Sequence, residues 1–165
     1  TKEIFHHAIS NSRKGLAIIE EFIEGTEYTA EVFAHNGVIQ LYAVTEKKKV
    51  PGTSDTVANQ LFTPVNESKI FKEIEEKVIK AFKAVGLRNG PGHAELIISN
   101  QNKIALVEVA GRGGGFMVFD KLIPKISGFN IAKATILNAC GFNIDDVLTK
   151  VYSTRNAAVL RFFPS

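Results

Sequence analysis

The chain has 165 residues, 45% hydrophobic and 22% charged, which is enough apolar material to bury the core of one domain or a large part of one. Its net charge of +3 and pI near 9.0 are a mild, scattered basic excess with no array of stacking aromatics, which argues against a nucleic-acid binder. The single cysteine, Cys140, excludes an internal disulfide framework and a Cys-rich zinc site, and no apolar run reaches the roughly 18 residues of a membrane-spanning helix.

A reducing, cytoplasmic setting without a membrane partner is therefore expected, with Cys140 as a buried core residue. Residues 2–12 place Ile4, Phe5, Ala8 and Ile9 at helical spacing, and Gly15 ends that element. LAIIEEFI (16–23) reads as a buried strand, followed by a turn at Glu24-Gly25. Residues 27–33 alternate, with Glu27, Thr29, Glu31 and Phe33 on one face and Tyr28, Ala30 and Val32 on the other. Asn36-Gly37 is a strong hairpin signal, so 38–45 should return antiparallel. Residues 46–65 read as a polar loop containing Lys47, Lys48, Lys49, Pro51, Gly52 and Pro64.

An amphipathic helix is expected over 67–85, capped by Asn66, with Ile70, Phe71, Ile74, Val78, Phe82 and Val85 inward and Gly86 as its stop. A hairpin over the next two apolar runs, a helix near 116–126 and another near 131–139 complete the pattern. Gly-Phe-Asn-Ile occurs at 128–131 and again at 141–144, read as Gly stopping one helix and Asn capping the next. Strands, helix, strands and helices in this order imply an α+β fold with a largely antiparallel sheet.

The hairpin GPGHAELIISNQNKIALVEVAGRGGG (90–115) holds one glutamate in each apolar run, Glu95 and Glu108. A two-residue turn at Asn100-Gln101, or a four-residue turn over 99–102, pairs Ile97 with Ile104, Glu95 with Leu106 and His93 with Glu108. His93, Glu95 and Glu108 then share a face with Ile97, Ile104 and Leu106, and the two glutamates are diagonal neighbours about 7–8 Å apart. A three-residue loop would break that parity. The glutamates either lie on a solvated face or converge on a hard cation, since Mg²⁺ binds through one or two carboxylates and keeps its waters. His93 reads as an orienting neighbour more than a ligand. The Gly-rich run with Arg112 suits close approach to an anion, and Lys47 to Lys49 are a solvated charge run or a source of one more cation.

Together IIEEFIEGTEYTAEVF (18–33), HAELII (93–98) and LVEVAGRGGG (106–115) resemble, in order and spacing, the ATP-grasp family. The resemblance runs from about residue 1 to 162 and implies the C-terminal part of an ATP-grasp domain. It implies a hinge at Glu20, Glu21, Phe22 and Ile23 for adenine, Glu27 on the ribose hydroxyls, and Glu95 and Glu108 on Mg²⁺ (or Mn²⁺). Arg112 would face the γ-phosphate or an acyl-phosphate, with His93 and Lys47 near the nucleotide. The family often has asparagine two residues after the second glutamate, where this chain has Ala110.

The Ala-Gly-Arg-Gly-Gly-Gly loop looks closest to carboxylate–amine ligases of the L-amino acid ligase type. The implied activity is ATP-dependent activation of a carboxylate as an acyl-phosphate for attack by an amine or thiol. A biotin carboxylase-like or carbamoyl-phosphate synthetase-like enzyme and a non-catalytic nucleotide-binding module are the alternatives. Residues 1–155 read as a partial domain with its first subdomain truncated, and 156–165 as the start of a following strand or domain. The implied partners are small carboxylate and amine substrates, the absent N-terminal region of the same protein, and a second copy in a homodimer.

Overall fold

The computed structural model describes residues 2–50, 58–63, 69–148 and 157–163. Helix α1 spans Lys2–Ser10, followed by β1 (Gly25–His35), β2 (Val38–Lys49), β3 (Ala58–Phe62), α2 (Lys69–Ala84), β4 (Gly90–Ser99) and β5 (Ile104–Ala110). A π-helical turn at Val118–Leu122 leads into α3 (Ile123–Ser127), α4 (Ile131–Ala139), α5 (Asp145–Leu148) and β6 (Val159–Arg161). The strands form one six-stranded sheet, β5-β4-β1-β2-β3-β6, antiparallel at every pairing. The architecture is the α+β fold expected from the sequence.

The sheet divides its side chains between two environments. On one face Ala30, Val32, Leu41, Ala94 and Leu96 pack under α2, whose Ile74, Val78 and Phe82 are buried at helical spacing. On the other, Phe33 and Tyr42 meet Ile123, Ile126, Phe129 and Ile131, with Tyr42 stacked on Phe129 at 4.0 Å between centroids. These helices cover the second face around Phe33 and Tyr42. Toward Glu27, Lys47 and Glu95 that face carries half-buried charged side chains instead.

Local chemistry explains the elements that follow the expected pattern. Asn36 and Gly37 have φ of 52° and 82°, the geometry of a two-residue type I′ hairpin turn. Gly86 terminates α2 with φ 78°. Gly128 takes a left-handed φ of 69° after α3, and the Asn130 side chain accepts from the Lys133 N–H to open α4. The second Gly-Phe-Asn-Ile repeats the device, with Gly141 at φ 76° and the Asp145 N–H donating to Asn143 Oδ1.

Five expectations are corrected. Residues 16–23 join no strand ladder, and Leu16, Ile18, Ile19 and Phe22 are exposed, because an extended segment with no partner strand has nothing to bury against. Residues 46–49 continue β2 and 58–62 form β3, so the described part of the expected polar loop is largely ladder; Pro51, Gly52, Pro64 and Asn66 lie outside the described residues. Val85 is exposed, one residue past the last turn of α2. Cys140 caps α4 and is exposed, not core.

The fifth correction is the register of the β4–β5 hairpin. Ile98 pairs with Ile104 and Leu96 with Leu106, then a bulge intervenes and Glu95 pairs with Glu108 and His93 with Ala110. The loop is three residues long: Ser99 N–H donates to the Lys103 carbonyl across it, and Asn102 takes φ 58°. That loop shifts the parity by one residue, and the bulge at Val107 shifts it again. Ile104 and Leu106 therefore face away from Glu95, while Glu108 comes directly opposite it.

Gly92 shows how tightly β4 seats α2: a Cβ there would meet the Phe82 ring at 2.6 Å and Val32 Cγ2 at 2.7 Å. We expect Gly92→Ala to lower stability by about 1–3 kcal/mol. Urea denaturation checks this, with a midpoint unchanged from wild type as the contrary result.

Candidate functional site

Strand alternation on β1, β2 and β4 sends Glu27, Thr29, Glu31, Lys47, Lys49, His93 and Glu95 to the same face. They form a chain of alternating charge. Lys49 Nζ lies 2.5 Å from Glu27 Oε1, and Lys47 Nζ lies 3.8 Å from Glu27 Oε2 and 2.8 Å from Glu95 Oε1. Glu95 Oε1 also meets His93 Nε2 at 3.4 Å, and His93 Nδ1 meets Glu31 Oε1 at 2.5 Å. Lys47 is thus a strand residue committed to two carboxylates, with its side chain only 16% exposed, not part of a solvated run. Lys48 points to the opposite face, beside Glu46.

Glu31 is fully buried, and its second oxygen accepts the Gly114 N–H at 3.1 Å. Burial alone would lower the His93 pKa, but hydrogen bonds and charge attraction from Glu31 and Glu95 outweigh it and raise it from 6.5 to about 9. Glu95 moves the other way. The hydrogen bond from His93, reinforced by Lys47 against the opposing effect of burial, lowers its pKa from 4.5 to about 2.

The Gly-rich loop follows β5 and closes onto this buried pair. A Cβ at Gly114 would meet Glu31 Oε1 at 2.5 Å and His93 Nδ1 at 2.9 Å, and one at Gly113 would enter the Phe119 ring. The anion that Gly114 approaches is therefore Glu31 of the same chain. Arg112 stays exposed at the loop's edge, with Nη1 donating to the Gly113 carbonyl at 3.0 Å and Nη2 3.7 Å from Glu108. Phe116 and Met117 follow with φ of 52° and 61°, strained conformations for non-glycine residues.

A hollow of about 610 Å³ lies over the open end of the sheet, lined by Glu20, Glu21, Phe22 and Ile23 along one side and Glu27, Lys47 and Lys49 on its floor. A smaller one of about 60 Å³ joins Glu27 and Lys47 to Glu95 and Val107. Of the residues singled out from sequence, Glu20 to Ile23, Glu27, Lys47 and Glu95 thus border connected space. His93 lies beneath, both ring nitrogens engaged by carboxylates. Glu108 pairs with Glu95 across the ladder, and Arg112 lies beside Glu108.

Among the described residues no group of three or more His, Cys, Asp or Glu side chains is arranged to hold a metal ion. The donors available are Glu95 and Glu108, and Ala110 adds none. Two paired carboxylates, of which Glu95 borders open space, suit an oxygen-seeking, water-retaining cation such as Mg²⁺ or Mn²⁺, and do not suit a tetrahedral nitrogen–sulfur metal. No helix among the described residues is long and apolar enough to cross a membrane.

Sequence reasoning did not single out Glu31, and it named Lys49 only as part of a run with Lys47 and Lys48. The alternation of β1 had placed Glu31 on the face of Glu27, and that was its one signal. Its burial depends on the return of the loop at Gly114, 83 residues later.

The ATP-grasp domain profile matches residues 2–120. The D-alanine–D-alanine ligase of Desulforamulus reducens is 32% identical over 99 residues, covering 54% of this chain and 30% of the ligase. Among solved structures, phosphoribosylglycinamide synthetase from Anaerococcus prevotii superposes with a TM-score of 0.78 at 22% identity, over 95% of this chain and 39% of that one. L-amino acid ligase from Bacillus licheniformis gives 0.65 at 24% identity, over 72% and 30%. These structural likenesses establish the fold. The chain spans about a third of the length of the relatives it matches.

The two shifted groups set opposite stability limits. His93 has a raised pKa, so its contribution is complete below pH 6.5 and is lost as pH rises through about 9. Glu95 has a lowered one, so its contribution is complete above pH 4.5 and is lost as pH falls toward about 2. We expect the His93 imidazole to titrate near pH 9 by NMR, and the melting temperature to decline over the same alkaline window. Titration near pH 6.5 would contradict the ion-pair geometry.

Proposed function

Since the chain belongs to the ATP-grasp family, we propose that it forms the nucleotide- and metal-binding wall of an ATP-dependent ligase. In this reading the enzyme activates a carboxylate as an acyl-phosphate, which an amine or similar nucleophile then attacks. The observation that supports this best is the direct pairing of Glu108 with Glu95, which itself borders the smaller hollow together with Glu27 and Lys47. The 32% identical D-alanine–D-alanine ligase favours joining a carboxylate to an amine.

In this reading Glu20 to Ile23 receive adenine through main-chain groups and apolar packing, and Glu27 accepts from ribose hydroxyls. Glu95 and Glu108 hold Mg²⁺, which when bound neutralises phosphate charge. Glu95 is suited to this because it keeps its charge across the whole neutral range. Lys47, now on Glu95, lies within reach of phosphate oxygens. Arg112 presents a fixed cation where charge develops during phosphoryl transfer. Preorganised groups of this kind stabilise a transition state without reorganising at the moment of reaction.

A second reading, a nucleotide-binding module without turnover, rests on Ala110, which pairs with His93 and cannot ligate a metal. ADP release separates the two, measured in the protein that carries this chain together with the rest of its ATP-grasp fold. We expect Glu95→Gln and Glu108→Gln each to cut Mg²⁺-dependent ADP formation by on the order of 100–1,000-fold, with circular dichroism unchanged. Near-normal turnover in Glu108→Gln would overturn the metal assignment. ATP binding without ADP release across a broad panel of amino acids would favour the second reading.

A third test concerns these 165 residues alone. Each charge-assisted phosphate contact that an opposing wall would supply is worth about 1.5–3 kcal/mol. Loss of two or three costs on the order of a thousandfold or more in affinity. Calorimetry should find Mg-ATP binding in about the millimolar range, and low-micromolar binding would contradict the two-walled site.

A further inference from the structure

The loop bearing Arg112 has its anchor outside itself. Both oxygens of the fully buried Glu31 are used: Oε2 accepts the Gly114 N–H at 3.1 Å, and Oε1 meets His93 Nδ1 at 2.5 Å. The other ring nitrogen of His93 lies 3.4 Å from Glu95 Oε1. One carboxylate thus touches the loop two residues beyond Arg112 and, through one imidazole, the glutamate on β4. Gly114 cannot carry a side chain without displacing this pair, since its Cβ would lie 2.5 Å from Glu31 Oε1.

We propose that Glu31 is a positioning residue, a buried bracket that fixes the Arg112 loop and the Glu95 carboxylate relative to each other. It acts through Gly114 and His93 and lies out of reach of substrate. The proposal rests on the roles given above to Glu95 and Arg112. Its physical basis is that a flexible glycine run positions an arginine only where the backbone is pinned, and that rotation of Glu95 is limited by whatever holds its hydrogen-bond partner. Outer partners that orient a metal-binding carboxylate, as Glu31 would through His93, cost about 10–100-fold in activity or metal affinity when removed.

A purely structural Glu31 would lower stability but leave turnover of the folded enzyme alone, and its effect would not depend on Arg112. The test uses the full-length enzyme with Glu31→Gln, Gly114→Ala and Arg112→Gln, singly and with Glu31→Gln combined with Arg112→Gln. We expect Glu31→Gln to lower kcat about 10–100-fold while KM for ATP changes little. In the Arg112→Gln background the same change should cost less than about threefold, because the group it positions is already gone. Tryptic cleavage after Arg112 should accelerate about tenfold or more as the loop opens.

Gly114→Ala, whose added methyl pushes on the Glu31–His93 pair from the loop side while leaving both side chains in place, should reproduce the turnover and cleavage effects and carries the test if Glu31→Gln does not fold. Unchanged kcat, effects that multiply in the double variant, or unchanged cleavage in the folded variants would each overturn the proposal. A wild type that releases no ADP would count against the ligase reading. The trypsin result would then still decide whether Glu31 fixes the loop.

Discussion

The buried contact between Glu31 and His93 is the constraint on which the candidate site depends. A carboxylate with no solvent exposure is tolerable only when its charge is met, and removing one partner of such a pair costs about 3–5 kcal/mol. Here the imidazole and one backbone N–H meet it from two directions. Both partners lie far away in sequence, on β4 and on the loop after β5. The requirement therefore dictates that those elements return to β1, and dictates glycine at 114.

From that fixed point the charges alternate outward toward solvent, through His93, Glu95, Lys47, Glu27 and Lys49. Each carboxylate is flanked by cations, and each cation by carboxylates. Within the row the pKa of His93 is pushed up to about 9 and that of Glu95 down to about 2, so these two stay ionised side by side at neutral pH. The row also leaves the members beyond His93 more accessible, with side-chain exposure of none at Glu31 and 8% at His93 against 34% at Glu95, 30% at Glu27 and 27% at Lys49. A rigid buried end and an adaptable outer end are what a site needs if an incoming cation and polyanion are to displace internal ion pairs.

The parts of the fold written in local chemistry were legible. Asn36-Gly37 named its hairpin, the spacing of Ile74, Val78 and Phe82 named α2, and each Gly-Phe-Asn-Ile named a helix boundary. Register was not legible, because it was settled by a three-residue loop and a bulge at Val107 that no periodicity marks. Both misreadings of parity happened to cancel at the carboxylates and did not cancel at Ile104 and Leu106. Residues 16–23 read as a strand because apolar runs look alike whether or not a partner strand exists. Glu20, Glu27, Glu95, Glu108 and Arg112 were singled out by motif, whereas the burial of Glu31 emerged only once the loop was seen to close on it.

On the proposed reading, the open end of this sheet face takes the phosphates and metal of a nucleotide, with Glu95 and Glu108 as the metal donors. The most direct measurement is a crystal structure of the whole protein with Mg²⁺ and a non-hydrolysable ATP analogue. The account predicts Mg²⁺ in contact with both glutamates, adenine against Glu20 to Ile23, and Lys47 moved from Glu95 to a phosphate oxygen. Nucleotide bound elsewhere, or Lys47 still paired with a metal-free Glu95, would contradict it.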